Sequence, residues 1–206
     1  MKDTFHAWIN LTGKTMDEIV NLIVTNQNLE TVTHDDCIMS EIGTSEQNFK
    51  LLDFGCGVGR NIFGFSEYTN WHIVGYDNDV MLEKSKEYCK IKFNKNVEDF
   101  SNVSFSSDWN VVKQMKFDCV YAILVFQHIF EKDLCKYLQD IKNMTNMMFV
   151  SGRRYNDEID KSTGNHKNTW KILENNGFHP YDAEYKGYTI EGDMNDHRSA
   201  CYKWSI

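Results

Sequence analysis

Apolar positions along this chain come in short blocks whose period changes with position. Thr15-Met-Asp-Glu18 has the spacing of a capping box. Ile19, Val20, Leu22, Ile23 and Val24 follow it, so a helix is predicted over residues 16–28. Residues 30–48 are polar and without a clear period. From there the blocks alternate. Phe49–Phe54 reads as a buried strand and Arg60–Tyr68 as a helix. Trp71–Tyr76 is a second strand, and Asp79 can cap a helix running through Val80, Met81 and Leu82 to Lys90. Asn102–Phe105 is a third strand and Phe117–Val125, rich in apolar residues, a fourth. Residues 132–144 place Leu134, Tyr137, Leu138 and Ile141 on one helical face. Met147–Ser151 is a fifth strand, and Asn168–Asn176 is a helix stopped by Gly177. The tail, Tyr181–Ile190 and Arg198–Ile206, reads as two strands joined by the polar turn EGDMNDH.

Strands that alternate with helices form a parallel sheet, because each crossover needs a helix to return the chain to the same edge direction. The expected fold is therefore α/β: a doubly wound, mostly parallel sheet with helices on both faces, closing in an antiparallel C-terminal hairpin. The expected organisation is a single domain over residues 1–206, with 1–48 as an N-terminal helical cap and 49–206 as the α/β core.

Charge and composition narrow the partners. Lys and Arg number 22 against 30 acids, a net charge of −8, which disfavours a nucleic-acid backbone because phosphates need clustered cations. The six cysteines include no CxxC pair, so no metal site is expected and the thiols read as buried and reduced. The N-terminal MKDTFHAWINLTG lacks the apolar core of a leader peptide, and no apolar run approaches the roughly 20 residues of a membrane span. A cytoplasmic protein without a membrane partner is the expectation.

In open α/β sheets, ligands bind at the carboxyl ends of the strands, so candidate chemistry is sought there. Strand one ends in Asp53-Phe-Gly55-Cys56-Gly57-Val-Gly59, a turn bare enough for close approach to the main chain. Strand two ends in Asp77, where a carboxylate can accept from both hydroxyls of a ribose. Strand three is followed by Asp108-Trp109, an acceptor for an adenine amino group beside a flat ring for the base. Strand four runs out into Val125-Phe-Gln-His128. Together these ends describe a nucleoside site that needs no phosphate. A dinucleotide fingerprint would be G-x-G-x-x-G with a helix N-terminus facing a pyrophosphate. Here the third glycine comes one residue early, and Asp53 would repel a pyrophosphate while suiting a cation.

LLDFGCGVGR (51–60), VGYDNDVMLEKSKEYC (74–89), SSDWN (106–110) and FDCVYAILVFQHI (117–129) occur in this order. In them the chain resembles the class I, seven-stranded S-adenosylmethionine-dependent methyltransferases over roughly residues 49–150. The resemblance implies that Asp53, Gly55, Cys56, Gly57 and Gly59 border the methionine part of S-adenosylmethionine and of its product S-adenosylhomocysteine. It implies that Asp77 holds the ribose, that Asn78 and Trp109 flank the adenine and that Asp108 reads its amino group. Ala122 and Ile123 would lie near the sulfonium.

Methyl transfer is a direct displacement, and a base is needed only where the acceptor must lose a proton. His128 is the candidate base; the alternative is a histidine that opens the next helix and bonds locally. The family's Asn/Asp-Pro-Pro-aromatic motif for amino-DNA substrates is excluded by the chain's single proline, Pro180. The expected activity is methylation of a small-molecule acceptor at oxygen or nitrogen. The alternatives are a methyltransferase-like binding module without turnover and a protein or RNA methyltransferase.

Overall fold

In a computed structural model of the chain, residues 18, 48–123, 125–151, 169–180 and 201–205 are described. Seven strands form one sheet: β1 (Phe49–Phe54), β2 (Trp71–Tyr76), β3 (Val103–Ser106), β4 (Cys119–Ile123), β5 (Met147–Ser151), β6 (His179–Pro180) and β7 (Cys201–Ser205). The helices are α1 (Arg60–Phe65), α2 (Asp79–Phe93), α3 (Trp109–Val112), α4 (Glu131–Met144) and α5 (Thr169–Asn175). The strand order is β3-β2-β1-β4-β5-β7-β6. β1 to β5 are parallel, and β7 runs antiparallel to both β5 and β6. The chain winds outward from β1 to β3 and then returns to β4 on the other side of β1. The topological switch therefore lies between β1 and β4, the place where open α/β sheets bind their ligands.

The apolar runs become central strands because both of their faces are covered. In β1 only Lys50 is exposed. On one face Leu51, Ile73, Tyr121 and Phe149 meet Ile62 and Phe65 of α1. On the other, Leu52, Phe54, Val120 and Met148 meet Leu134, Leu138 and Ile141 of α4 and Ile172 and Leu173 of α5. Met81, Tyr88 and Cys89 of α2 pack on Phe63 of α1 and on Val58 in the turn before it. Each fully buried aliphatic or aromatic side chain contributes about 1.5–3 kcal/mol, so these faces dominate the stability.

The ends of the helices follow local chemistry. Asn78, not the expected Asp79, caps α2: its side-chain oxygen accepts from the Met81 N–H at 3.1 Å. Asp79 falls inside the first turn, where its charge suits the helix dipole. α5 ends as expected at Gly177, whose φ is 75°. The Phe178 N–H donates to Leu173 O and the Gly177 N–H to Glu174 O, the pair of bonds that closes a Schellman motif.

Two parts of the sequence-based expectation need comment. The antiparallel closure is present, but its outer strand is His179–Pro180, paired with Ser205 and Trp204. The expected strand Tyr181–Ile190 lies outside the described residues, as does the expected N-terminal helix apart from Glu18, which is helical and exposed. The proline is tolerated because β6 forms the sheet edge, where a missing N–H leaves no neighbour unpaired. The single-turn α3 was not expected, being too short to show a helical period.

Gly75 faces the most crowded point between sheet and helix. A Cβ there would lie 2.3 Å from Ile62 Cδ1 and 2.6 Å from Phe105 Cδ1. Gly75→Ala is therefore expected to destabilise the protein by about 1–3 kcal/mol through overpacking. Urea denaturation of the two proteins, compared at equal slope, measures this.

Candidate functional site: two acids and a glycine turn at the sheet switch point

The turn after β1 is closed by main-chain bonds to its neighbour strand. The Gly55 and Cys56 N–H groups both donate to Tyr76 O, at 2.7 and 3.1 Å. The Gly59 N–H donates to Cys56 O at 2.9 Å, and Gly59 O then accepts from the Phe63 N–H to start α1. Gly59 has φ 82°, a left-handed geometry that costs a side-chain-bearing residue about 1–2 kcal/mol. At Gly55, a Cβ would fall 2.5 Å from Val125 Cγ1, so the residue leaving β4 closes directly over the turn. Gly57 is the open position. The nearest atom to a Cβ there is Met81 Cε at 3.6 Å, an ordinary contact.

Asp77, just past β2, ties this turn to α2. Its Oδ2 accepts from the Gly57 N–H at 2.8 Å. Its Oδ1 accepts from the Asn78 N–H at 2.7 Å and from Asn78 Nδ2 at 2.8 Å. Asn78 thus joins three things with one side chain: the β2 carboxylate, the α2 cap and the strand-to-helix step. Asp77 is buried, and burial pushes its carboxyl up to about 6, while the three donors pull the other way. A carboxylate has about four acceptor positions. Three of those on Asp77 are taken, so accepting both hydroxyls of a ribose requires the Asn78 amide to yield one. The sequence carried no sign of this, because it depends on where the Gly57 N–H points.

Asp53 behaves differently. It sits in the row Phe105–Gly75–Asp53–Tyr121 across four strands. Its side chain is 1% exposed, and among the described residues its Oδ2 has no hydrogen-bond partner. Burial first and the nearby Asp77 charge second push its carboxyl up to about 8, with the Arg60 guanidinium opposing them. Arg60, the first residue of α1, is itself partly buried, which holds its guanidinium below the ordinary range while the Asp53 charge opposes that. It was not among the expected site residues. Its place directly after the last glycine, in a chain with only four arginines, was the available signal.

The other expected residues divide. Cys56 is buried in the core beneath the turn, and burial with the two acids holds its thiol well above the ordinary range, so it is a neutral packing residue. Ala122 is fully buried among the α4-side core, whereas Ile123 is partly exposed at the end of β4. Asp108 is exposed and caps α3, its Oδ1 accepting from the Asn110 N–H at 2.9 Å. Trp109 packs among Phe54, Tyr76 and Tyr137, with ring centroids 4.9–5.3 Å away, and its indole N–H donates to Asp140 Oδ2 at 2.7 Å. Its ring is thus part of an aromatic cluster between the β1 and β2 ends and α4. His128 is partly buried at the end of a one-turn 3-10 helix, Phe126–His128, where its main-chain N–H donates to Val125 O at 2.8 Å. Among the described residues no group of three His, Cys, Asp or Glu could hold a metal ion, and no helix is long and apolar enough to cross a membrane.

The raised Asp53 carboxyl has a consequence for the free protein. An acid whose folded value lies above its unfolded value keeps its proton while the unfolded chain loses one. Stability therefore falls as pH rises from about 4 to about 8 and levels off above that. Asp53→Asn, which mimics the protonated acid, is expected to raise the thermal midpoint at pH 8 by several degrees, about 2–4 °C for each kcal/mol in a chain of this size. The difference should close at pH 4. Thermal scans at the two pH values test it.

Comparison with known proteins bears on the fold and the domain that carry these residues. Residues 52–146 match a family model described as a methyltransferase domain. The chain is 31% identical over 103 residues to a sterol 24-C-methyltransferase of Neurospora crassa, a stretch covering 46% of this chain and 24% of that protein. The chain thus spans about a quarter of the length of the curated relatives it matches. Its fold resembles a SAM-dependent methyltransferase of Aquifex aeolicus, with a TM-score of 0.59 and 15% identity over 93% of this chain and 98% of that one. It also resembles the magnesium protoporphyrin IX methyltransferase of Synechocystis PCC 6803 solved with bound SAH, with a TM-score of 0.57 and 14% identity over 98% and 93% of the two chains. Residues 52–146 thus match a methyltransferase domain, and the mostly parallel sheet that carries the glycine turn has the Rossmann-like fold of S-adenosylmethionine-dependent methyltransferases.

Proposed function

We propose that this protein transfers a methyl group from S-adenosylmethionine to a small-molecule acceptor, at oxygen or nitrogen. The observation that carries the reading is the Asp53 carboxyl, buried at the end of β1 with Oδ2 unpartnered among the described residues, beside a turn in which a Cβ at Gly57 would make only an ordinary contact with Met81 Cε among those residues. A phosphate ligand would meet two buried acids here, whereas a ligand with a cationic amino acid end finds a counter-charge. When bound, S-adenosylmethionine supplies an electrophilic methyl group on a sulfonium.

In this reading each residue has a separate task. Asp53 faces the cationic end of the donor and Gly55, Gly57 and Gly59 keep side chains out of its way, with Cys56 as the packed floor of the turn. Asp77 accepts from the ribose, after Asn78 moves its amide aside. Asp108 has acceptor capacity left for an adenine amino group, since its cap uses one oxygen. Trp109 supports that end from within its cluster. Ile123 and the main chain at Ala122 form the β4 rim beside the sulfonium, and His128, just beyond, is the candidate base. Sharing a quarter of their length with the sterol enzymes does not bring their acceptor to this chain. Its net charge of −8 supports a small molecule over a nucleic acid.

Calorimetry with S-adenosylhomocysteine is expected to show one site, and Asp77→Ala to abolish it, because the Gly57 and Asn78 N–H groups lose their acceptor and the turn its tie to α2. Tight binding by the variant would remove Asp77 from the site; no binding by the wild type would refute the donor reading.

Incubation with labelled donor and a fractionated metabolite extract identifies the acceptor. His128→Gln is then expected to lower turnover by about 10²-fold or more with donor affinity unchanged, as for loss of a general base. Unchanged turnover would return His128 to a local structural role, and labelled protein or RNA in the extract would redirect the acceptor assignment.

A further inference from the structure

The two acids of the site are both buried, yet they are treated oppositely by their surroundings. Asp77 is met by three donors, two from the main chain and one from Asn78. Asp53, one strand away and less exposed still, has no donor at Oδ2 among the described residues. Two carboxylates this close in a dry site cannot both ionise at ordinary cost. The one with donors keeps its charge, and the one without keeps its proton.

The groups facing Asp53 come from each element around it. Asp77 at the β2 end disfavours a second negative charge. Arg60 at the start of α1 favours one, but burial and the Asp77 charge outweigh it. Cys56 in the turn is neutral, its thiol raised by the same two acids. Tyr121 lies beside Asp53 in the sheet on β4, and Gly75, its neighbour on β2, has no side chain. Nothing in this set matches a donor to Oδ2.

We propose that donor binding at this turn is proton-linked: the Asp53 carboxyl is an acid in the free protein and gives its proton to solvent when the cationic group of the ligand arrives beside it. The inference rests on the reading of the site as the S-adenosylmethionine site. The step is an ionisation: the O–H bond of the carboxyl breaks, its electron pair stays on oxygen, the proton passes to the buffer, and the ligand cation remains protonated. Burial thereby becomes selective. A neutral ligand would leave Asp53 protonated, and only a cation recovers the cost of making the carboxylate there.

The test is calorimetry at pH 7 with S-adenosylhomocysteine, and separately S-adenosylmethionine, in buffers of different ionisation enthalpy. With the carboxyl at about 8, the wild type is expected to release about 0.9 proton per ligand bound. Asp53→Asn is expected to bind more weakly and release close to none. Should the variant bind too weakly to measure, infrared difference spectra of the wild type give the same answer, through loss of the protonated-carboxyl C=O band on binding. Release with both ligands identifies the ammonium as the partner, and release with S-adenosylmethionine alone identifies the sulfonium; either supports the proposal. Binding without proton release or band loss overturns it, as does equal release by Asp53→Asn. Failure of the wild type to bind either ligand overturns the reading of the site, and the inference with it.

Discussion

One hydrogen bond connects most of what this site does: the Gly57 N–H donating to Asp77 Oδ2. It joins the turn after β1 to the residue after β2, the two strands whose full-length parallel pairing organises that half of the sheet. Through Asn78 the same carboxylate is linked to the cap of α2. The turn, the β2 end and the start of α2 are therefore held as one unit. Removing water from a carboxylate is costly, and the main chain offsets that cost here with donors that cannot move away.

The neighbouring acid lacks that support, and the contrast gives the site its electrostatic character. Asp53 and Asp77 stand at the ends of adjacent strands, where the fold has already excluded water. A set of fixed donors meets one charge, while the other acid has no donor at Oδ2 among the described residues. Arg60 moderates this without cancelling it, since burial and the Asp77 charge weigh more on Asp53. Such a site is poorly suited to phosphate and well suited to a cation.

On the opposite sheet face, an aromatic cluster supports the same strand ends. Phe54, Tyr76, Trp109, Phe126 and Tyr137 meet edge to face or tilted, and the Trp109 indole is anchored to Asp140 on α4. Phe54 and Asp53 are consecutive residues of β1, so one peptide step separates the apolar support from the buried acid. This explains why the strand could be read so directly: alternation in a parallel strand buried on both sides leaves only the polar residue conspicuous.

The sequence by itself determined the alternation of strands and helices, the parallel core and the residues gathered at the strand ends, because apolar period and glycine spacing are local properties written in consecutive residues. It also singled out Asp53 and Asp77 as unusual acids within apolar runs. It did not determine their different fates. Only the tertiary structure turned the Gly57 N–H toward Asp77, took up three of that carboxylate's acceptor positions and left Asp53 Oδ2 without a donor among the described residues. The same holds for Trp109, whose neighbours come from β1, β2 and α4, and for Val125 closing over Gly55. These depend on where distant segments meet, and burial and donor geometry are properties of that meeting rather than of any one stretch of chain.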